Sequence, residues 1–288
     1  MLSIKAGAKI NLTLDITGKR EDGYHLLQMV MQSVSLYDTI TLEESEKSGI
    51  SLSCNRPEVP VDDSNTVIRA AKQYFSYCQI PASGVRLHLS SQIPSQAGLG
   101  GGSADAAGTI LLLDRFFQTG LSLREMCRIG LSVGADVPFC LCGGTQLVEG
   151  IGERQTPLTA MPDCTVVIVK PECGISTVEA YRKSDNIRIR QRPDLPAVMA
   201  ALENHRLDQL GKNLCNVFEE VENLGEVTML KDKMMYFKAS GACMTGSGSA
   251  IYGLFEDAET ADECAQHLKQ QYHEVFVCVP TSKSCIFE

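Results

Sequence analysis

The sequence has no long apolar run. Nowhere among its 288 residues does such a run approach the length of about 18 that a membrane-spanning helix needs. The segment from Met1 to Asp15 alternates apolar and polar residues and lacks the charged-then-apolar order of a secretory signal. These absences argue against membrane insertion and predict a cytoplasmic protein.

Positive charge is also scarce. The chain carries 26 Lys and Arg against 35 Asp and Glu, which gives a formal net charge of −9. No basic field is therefore available for a polyanionic backbone, and both nucleic acid and acidic membrane surfaces are poor candidate partners. A small anionic ligand can still be held locally. The charge does not determine assembly, so a monomer and a homodimer both remain open.

Metal-binding cysteine spacing is a third absence. The chain has twelve cysteines, but no two of them form a C-x-x-C pair, which disfavours a structural zinc site. Several lie in apolar stretches, such as Cys140 and Cys142 in VPFCLCGG and Cys278 in VFVCVP. A free thiol in such surroundings behaves as a small hydrophobic group. Buried, reduced thiols are the favoured interpretation.

The length and the pattern of elements indicate two domains and an α+β (mixed α/β) fold. A turn-rich segment, GIGERQTPLTAMP at residues 150–162, predicts a boundary between domains 1–155 and 156–288. The second domain reads as a smaller sheet covered by helices on one face. The periodicity predicts strands at 1–16, 34–44, 85–90, 145–149, 165–170, 250–255 and 274–279, and helices at 65–79, 103–117, 121–133, 176–182, 226–239 and 260–272.

The most informative segment is a glycine-rich loop between a predicted strand and a predicted helix. Without side chains, its glycines let the backbone approach a ligand and point N–H groups at it, and the helix that follows adds a positive dipole end. Phosphate binding is favoured over a flexible linker or a plain turn. The predicted nucleotide contacts are Pro94, Ser95, Gln96, Ala97, Gly98, Leu99, Gly100, Gly101, Gly102, Ser103 and Ala104.

Two familiar phosphate loops do not fit this segment. The pattern G-x-G-x-x-G would need glycine where Ser103 stands, and G-x-x-x-x-G-K-[ST] would need lysine where Ala104 stands. The protein-kinase motifs H-R-D and D-F-G do not occur. The loop therefore belongs to another class.

Residues 94–104 resemble the ATP loop of the GHMP kinase family, P-x-x-x-G-L-G-[GS]-[GS]-[SA]-A. Three other pieces are similar to members of that family: AKINLTLDITGKREDGYHLL at 8–27, GADVPF at 134–139 and MTGSGSA at 244–250. The resemblance implies an N-terminal α/β domain and a C-terminal ferredoxin-like sandwich that enclose a cleft. It also implies transfer of the γ-phosphoryl group of ATP, accompanied by Mg²⁺, to the 2-hydroxyl of 4-diphosphocytidyl-2-C-methyl-D-erythritol.

The resemblance assigns the chemistry to Lys9 and Asp136. Phosphoryl transfer needs an oriented hydroxyl, an acceptor for its proton and stabilisation of the transferring charge. Asp136 is the candidate base, and Lys9 would neutralise charge beside it. Without the motif match, a lysine in an alternating strand would be expected to face solvent, and an aspartate after a helix and a glycine would be expected to cap.

Four more residues are expected to hold the acceptor. Asn11, two positions from Lys9 and so on the same face of the strand, resembles a substrate-contacting asparagine. Tyr24 would stack on the cytosine, His25 would hydrogen-bond it, and Tyr181 would stack opposite. The structural alternative for Tyr24 and His25 is an ordinary amphipathic pair at a loop end.

Three further assignments compete with structural roles. Thr177 faces the substrate hydroxyls or caps a helix, and Asn65 lies near the nucleotide or starts a helix. The residues GSGS at 246–249 brace the cleft near the phosphates or form a plain tight turn.

Two positions have no assigned part in the reaction. Cys142 stands near a position that is basic in some relatives, so another basic residue substitutes or the contact is dispensable. For Asp105, stabilisation of a helix N-terminus accounts for the charge. The sequence assigns no metal ligand.

Two other functions remain open at this stage. The ATP loop would serve equally in a GHMP kinase that acts on mevalonate, homoserine or a sugar, and DGYH at 22–25 is the feature that separates these from a cytidine-specific enzyme. A nucleotide-binding regulator without turnover is the other alternative. The presence of both Lys9 and Asp136 argues against it.

Overall fold

Strands and helices alternate irregularly along the chain. The computed structural model describes residues 1–81 and 84–288. In that part of the chain the strands are β1 (Leu2–Lys19), β2 (His25–Glu44), β3 (Ile50–Cys54), β4 (Val85–Ser90), β5 (Thr145–Gly150), β6 (Arg154–Pro157), β7 (Thr165–Lys170), β8 (Cys215–Asn216), β9 (Gly241–Met244), β10 (Ile251–Phe255), β11 (Glu274–Cys278), β12 (Pro280–Thr281) and β13 (Cys285–Phe287). The helices are α1 (Thr66–Cys78), α2 (Gly101–Phe117), α3 (Leu123–Val133), α4 (Val137–Cys142), α5 (Thr177–Ser184), α6 (Leu195–Glu203), α7 (Leu207–Lys212), α8 (Val217–Glu222), α9 (Gly225–Tyr236) and α10 (Ala258–Leu268).

The first sheet is built on one long antiparallel hairpin of β1 and β2. Its spine runs in the order β13-β1-β2-β4-β3, with β5 and β12 also paired to β2, β6 to β5 and β8 to β1. Helix α2 packs on β1 and β2, and α1, α3 and α4 pack around it. The hairpin reverses at residues 20–24, which places Tyr24 and His25 at its tip.

The second sheet has four antiparallel strands in the order β11-β7-β10-β9. Helices α9 and α10 cover one face. The opposite face is buried as well, because Val166 and Ile168 of β7 share a core with Ala8 and Ile10 of β1. The α+β class and the ferredoxin-like arrangement are confirmed, and the second sheet proves to be covered on both faces.

The C-terminal residues return to the first sheet. Strand β12 pairs with β2, and β13 pairs with β1. The proposed boundary between residues 155 and 156 falls within β6, which pairs with β5. We keep the division into 1–155 and 156–288 as a proposal, with the addition that residues 280–287 belong spatially to the first sheet.

Local sequence signals explain where several helices begin. Asn65 caps α1 by accepting a hydrogen bond from the N–H of Val67 at 2.8 Å. Ser122 and Glu125 form a capping box at the start of α3. Helix α2 begins two residues earlier than predicted, since Gly100 serves as its N-cap. The helices therefore match the predicted ones closely at their starts.

The largest errors of the sequence prediction concern β2 and the region before α9. Strand β2 begins at His25, whereas the sequence predicted a start at residue 34. The prediction missed the first part of the strand because residues 29–34 are all buried and so lack the alternation of apolar and polar residues. The short elements α6, α7, β8 and α8, which precede α9, were not predicted, and neither were β3 and β9. No helix in the described residues is long and apolar enough to cross a membrane.

Candidate active site

A cavity of about 1000 Å³ lies where the hairpin tip, the glycine-rich loop and the starts of α4 and α5 converge. Most of the predicted site residues contribute to its wall. They are Lys9, Tyr24, His25, Asn65, residues 94–103, Asp136, Thr177 and Tyr181. Asn11 and Ala104 are not on the wall.

The glycine-rich loop joins β4 to α2 and lines the cavity. Gly98 and Gly100 have φ values of +74° and +72°, in the left-handed region that favours glycine. Gly100 is the N-cap of α2 and provides no side chain for the first turn. The open N-terminus of this 17-residue helix therefore points its first N–H groups and its positive dipole end at the cavity.

The loop is held by the turn between β9 and β10. A Cβ on Gly98 would lie 2.0 Å from the carbonyl oxygen of Thr245, so the two backbones touch. The Thr245 hydroxyl donates to the Gly98 carbonyl at 3.1 Å, and the Ala250 N–H donates to the Ala97 carbonyl at 3.1 Å. This contact supports the predicted bracing role of residues 246–249, since the turn sits directly against the loop.

Lys9 and Asp136 meet beside the loop. The Lys9 Nζ lies 3.6 Å from Asp136 Oδ2, and its stem packs on Gly100. Lys9 is only 4% exposed, so it does not face solvent as an isolated strand lysine would. Asp136 precedes α4 but makes no capping hydrogen bond, and it contributes to the cavity wall beside Lys9.

The pairing of β1 explains how a strand lysine comes to be buried. Ile4 and Ala6 lie against Gly108 of α2, while Ala8 and Ile10 face the second sheet. The register with β2 shifts between Gly7 and Lys9. Such an irregularity re-aims the side chains that follow it, and it brings Lys9 to the α2 side.

Asn11 and Ala104 lie outside the cavity wall, and their predicted contacts with substrate and nucleotide stay predictions. The Asn11 side chain is fully buried, and its Oδ1 accepts from Lys9 Nζ at 2.6 Å and from the Gly246 N–H at 3.0 Å. These contacts position Lys9 and the turn, and they leave Asn11 away from the wall. Ala104 is fully buried inside α2. We therefore propose that Asn11 acts through Lys9 rather than through the acceptor.

The aromatic residues form the other end of the cavity. Tyr24 is 62% exposed at the hairpin tip. The ring of His25 stacks on Tyr181 of α5, with centroids 4.8 Å apart and an interplanar angle of 21°. Phe218 supports Tyr181 edge-on at 5.1 Å. Burial raises the pKa of Tyr181 above its ordinary value, so its hydroxyl stays protonated at neutral pH.

Asp185, which was not predicted, orients His25. Its Oδ1 lies 2.7 Å from His25 Nε2, and its Oδ2 accepts from Lys19 Nζ at 2.6 Å. Hydrogen bonds from Lys19 and His25 lower the pKa of Asp185 below its usual value. A carboxylate only accepts, so Nε2 carries the proton and Nδ1 is the acceptor when the ring is neutral.

Asn65 and Thr177 have polar partners within the protein. Asn65 caps α1 and also donates from Nδ2 to the Pro60 carbonyl at 2.6 Å, so its side chain shapes the wall. Ser176, not Thr177, caps α5. The Thr177 hydroxyl instead bonds Ser247 at 2.9 Å and ties α5 to the β9–β10 turn. Their predicted contacts with nucleotide and substrate stay predictions.

Cys142 lies at the end of α4, away from the cavity wall. The neighbouring Cys127 thiol of α3 lowers the pKa of Cys142 below its ordinary value. Arg69 and Arg115, on neighbouring helices, make contacts elsewhere, with the Val133 carbonyl and the Phe287 ring. Lys283 lies beside the end of α4, since a Cβ on Gly143 would be 3.0 Å from its Cα.

Several functional neighbours carried no signal in the sequence. Asn216 donates from Nδ2 to the carbonyls of Met244 and Gly246, both at 2.8 Å, and so supports the turn from a region not predicted as an element. Asp38 and Asp105 lie behind the glycine-rich loop and also reach the cavity wall. Of these two, only Asp105 is singled out by the sequence, because it follows the glycine-rich loop directly.

Two family models match the chain. The GHMP kinases N terminal domain matches residues 65–144, and the GHMP kinases C terminal matches residues 198–274. A Clostridium botulinum (strain Eklund 17B / Type B) protein named 4-diphosphocytidyl-2-C-methyl-D-erythritol kinase is 40% identical over 279 residues, which cover 96% of this chain and 99% of that protein. A protein of the same name from Clostridium perfringens (strain 13 / Type A) is 42% identical and covers 94% of each chain.

Solved structures agree in fold. A crystal structure of 4-(cytidine 5'-diphospho)-2C-methyl-D-erythritol kinase superposes with a TM-score of 0.77 at 30% identity, covering 96% of this chain and 98% of that one. Homoserine kinase from Cytophaga hutchinsonii gives a TM-score of 0.79 at 18% identity, with 100% and 97% covered. The second likeness concerns the fold alone.

Proposed function

The chain belongs to the GHMP kinase family, and from that premise we propose that it transfers the γ-phosphoryl group of ATP to the 2-hydroxyl of 4-diphosphocytidyl-2-C-methyl-D-erythritol. One observation carries the proposal. The Lys9–Asp136 pair and the glycine-rich loop share a cavity with Tyr24, His25 and Tyr181, so a phosphate site and an aromatic site lie within reach of one ligand pair.

The donor end is built for phosphate. GHMP kinases use ATP as phosphoryl donor, and four of the wall residues between Pro94 and Ser103 are glycines without side chains. A Cβ on Gly100 would come within 2.9 Å of the Lys9 side chain, and a Cβ on Gly101 within 3.0 Å of the Ile93 side chain. The loop is therefore packed closely against these two residues. The N–H groups there and the start of α2 favour the β- and γ-phosphates.

Magnesium is part of the proposal as a companion of the nucleotide. The described residues contain no group of three or more His, Cys, Asp or Glu that would hold an ion by themselves. That fits Mg²⁺, which commonly keeps waters and binds through substrate phosphates with few protein ligands. When bound it would neutralise phosphate charge.

Asp136 and Lys9 divide the chemistry. The Asp136 carboxylate takes the proton of the acceptor hydroxyl as the oxygen bonds to the γ-phosphorus. The bond from that phosphorus to the β–γ bridging oxygen breaks, and ADP leaves with the electron pair. Lys9, held by Asn11 and buried away from water, places a positive charge beside the base and the transferring group.

The aromatic end suits a cytosine. Tyr24 is exposed at the hairpin tip, and Tyr181 of α5 contributes to the same wall beside His25. His25, oriented by Asp185, offers Nδ1 as an acceptor for an exocyclic amine. Mevalonate, homoserine and sugars have no base to stack, so this end favours the cytidine acceptor named in the relatives.

A cytoplasmic location completes the proposal. All twelve cysteines are free thiols, including the buried Cys140, Cys164 and Cys243. Reduced thiols on this scale are typical of a reducing compartment.

The test is an acceptor panel. Purified protein is incubated with ATP and magnesium and, in separate reactions, with the diphosphocytidyl substrate, mevalonate, homoserine or a hexose, and both ADP release and product mass are followed. We expect ADP only with the cytidine acceptor, whose mass increases by one phosphoryl group. A matched reaction with Asp136→Asn should bind ATP and release almost no ADP.

Other outcomes discriminate among the alternatives. Turnover with a different acceptor would keep the ATP site and overturn the cytosine assignment. Binding of ATP without turnover on any acceptor would favour a nucleotide-binding regulator.

A further inference from the structure

Two carboxyl groups lie directly behind the glycine-rich loop. Asp38 on β2 is 1% exposed, and Asp105 on α2 is 6% exposed. A Cβ built on Gly101 would lie 3.8 Å from Asp38 Oδ2, and Asp105 stands one helical turn after Gly101 on the same face of α2. Each carboxyl also affects the pKa of the other. The reaction described above uses neither of them, and their closeness needs an explanation.

Asp38 holds the segment that enters the loop. Its Oδ1 accepts from the backbone N–H groups of Gln92 and of Ile93, the latter at 2.7 Å, and its Oδ2 lies 3.5 Å from the Ser91 hydroxyl. Pro94, the first residue of the loop, follows immediately. Asp38 therefore sets the direction in which the chain leaves β4.

Asp105 has no comparable set of donors. Its Oδ1 is fully buried and has no hydrogen-bond partner within residues 1–81 and 84–288. Burial and the neighbouring charge of Asp38 raise the pKa of Asp105 well above its usual value. Two ionised carboxylates in contact and out of water would repel strongly, whereas one shared proton turns the contact into a hydrogen bond.

We propose that Asp38 and Asp105 hold one proton between them at neutral pH, mainly on Asp105, and that this acid–carboxylate pair positions the glycine-rich loop. Asp105 donates to Asp38 from the second turn of α2, and Asp38 holds Gln92 and Ile93. The pair thus ties the entry of the loop to the helix at its exit. Its link to ATP affinity rests on the proposed function.

The groups around the pair favour this distribution of charge. Arg56, from the segment after β3, attracts the charge of Asp38. Cys140 of α4 and Cys285 of β13 face Asp105, and burial raises the pKa of both thiols, that of Cys285 to about 12. Lys9 of β1 lies beyond Gly100 and is paired with Asp136. No described contact gives Asp105 a positive partner.

The pH dependence follows from the sign of the shift. The folded protein keeps a proton that the unfolded chain releases near the ordinary Asp pKa of about 3.9. The folded state thus binds more protons above that value, and the free energy of unfolding falls as pH rises toward the pKa of Asp105. Above it the carboxylates repel, the loop entry loosens, and ATP binds less well.

The decisive variant is Asp105→Asn, whose amide donates without titrating. Asp38→Asn is the second, because its carbonyl keeps the two backbone donors while its amide donates to an ionised Asp105. Asp105→Ala removes the donor altogether. Asp114→Asn is the matched control on α2, since Asp114 accepts from Thr119 and the Leu121 N–H at the far end of the helix.

Two measurements are made on each full-length protein. Isotope-edited infrared spectroscopy reports the protonated carboxyl, and calorimetry with a non-hydrolysable ATP analogue gives Kd between about pH 6 and pH 10. We expect the wild type to show the carboxyl band at neutral pH and its Kd to rise by up to about tenfold per pH unit above the pKa of the pair. Asp105→Asn and Asp38→Asn should lose the band and the rise.

The remaining variants separate positioning from general stability. Asp105→Ala should weaken analogue binding by roughly fivefold to a hundredfold at neutral pH, because the buried Asp38 carboxylate loses its donor. Asp105→Asn keeps a donor at this position and should bind the analogue as well as the wild type does. Asp114→Asn should lower thermal stability and leave the alkaline rise intact.

Three results would overturn the shared proton. They are a wild type without the band at neutral pH, an Asp105→Asn protein with an unchanged alkaline rise, or, where that variant fails to fold, an Asp38→Asn protein with an unchanged rise. Wild type with the band but no analogue binding would instead overturn the ATP assignment and leave the shared proton standing.

Discussion

The two ends of the cavity are built in opposite ways. At the candidate phosphate end the wall is a glycine-rich loop, whose Gly98 and Gly100 lie close against Thr245 and Gly246 of the β9–β10 turn and Lys9 of β1. At the candidate base end the wall carries aromatic side chains, of which Tyr24 is 62% exposed at the tip of a hairpin. The first end is closely packed, and the second is more exposed.

The difference reflects what each end has to recognise. Phosphates are the same in every nucleotide, so a loop of N–H groups fixed by packing serves them well. A base is distinguished by its flat face and its polar edge, which only side chains can match. Changes at the phosphate end should therefore affect turnover and folding, and changes at the base end should affect the acceptor KM.

The largest effect is expected for Asp136→Asn. Loss of the base should lower kcat by about 10² to 10⁴-fold. Of the two paired residues, only Asp136 can accept the hydroxyl proton, since the Lys9 ammonium is a donor. The dissociation constant of an ATP analogue should change by less than about twofold. Steady-state kinetics and calorimetry check both, with Asp262→Asn on α10 as an exposed control of equal charge change.

A fully active Asp136→Asn enzyme would remove the residue from the chemistry. Both ends of the cavity would then be assigned to ligand binding alone, and neither to proton transfer by Asp136.

The next effect is expected for Gly98→Ala, with Gly120→Ala as its control. Both glycines have positive φ, +74° and +67°, so each alanine costs about 1–2 kcal/mol of backbone strain. Only at Gly98 would the new Cβ also meet Thr245, at 2.0 Å, whereas Gly120 has nothing within 4 Å. Thermal unfolding should show a larger loss for Gly98→Ala, and ATP affinity should fall only there.

Equal losses of stability and affinity in the two alanine variants would contradict the packing of the loop on the β9–β10 turn. The rigidity of the phosphate end would then need another source.

A smaller effect is expected for Tyr24→Ala. Loss of a stacking ring costs about 1–3 kcal/mol per base, so the KM for the cytidine acceptor should rise by roughly fivefold to a hundredfold while the KM for ATP stays constant. Tyr236→Ala, on α9 and 81% exposed, is the control for removal of a surface tyrosine. Initial-rate kinetics with each substrate varied in turn give both constants.

A rise in the KM for ATP after Tyr24→Ala would show that the ends are not separate. No change in either constant would remove Tyr24 from the acceptor site.

The smallest effect is expected for Asp185→Asn. The amide weakens the 2.7 Å contact that orients His25, so the acceptor KM should rise by about fivefold or less. The contact is exposed, and added salt should reduce the difference between the variant and the wild type. Kinetics at two ionic strengths measure this, and a loss of kcat at saturating acceptor would contradict the assigned role.

The candidate phosphate end is easier to recognise in the sequence than the candidate base end, for a physical reason. Residues 94–103 line the cavity as one continuous segment between a strand and a helix. Lys9 and Asp136 are 127 positions apart. Their assignment to one site rested on the motifs that contain them and not on their spacing. The structure adds what no motif showed, namely the re-aiming of Lys9 at the irregular pairing with β2.

Asp185 and Asn216 show why the rest escaped prediction. Each makes its contacts across 28 residues or more, to His25 in one case and to Met244 and Gly246 in the other. A lone polar residue at the end of a short element carries no periodicity and no motif. Asp38 is similar, since an aspartate in an alternating strand reads as solvent-facing, yet it is 1% exposed.

The sequence by itself determined the α+β class, the glycine-rich loop and the family, because these rest on periodicity and on residues close together in the chain. Only the tertiary structure decided which side chains face the cavity, that Asn11 supports Lys9, and that Asp38 lies against the face of α2 that carries Asp105. Such contacts depend on strand register and on the packing of one sheet against the other. Neither is encoded in any short stretch of sequence.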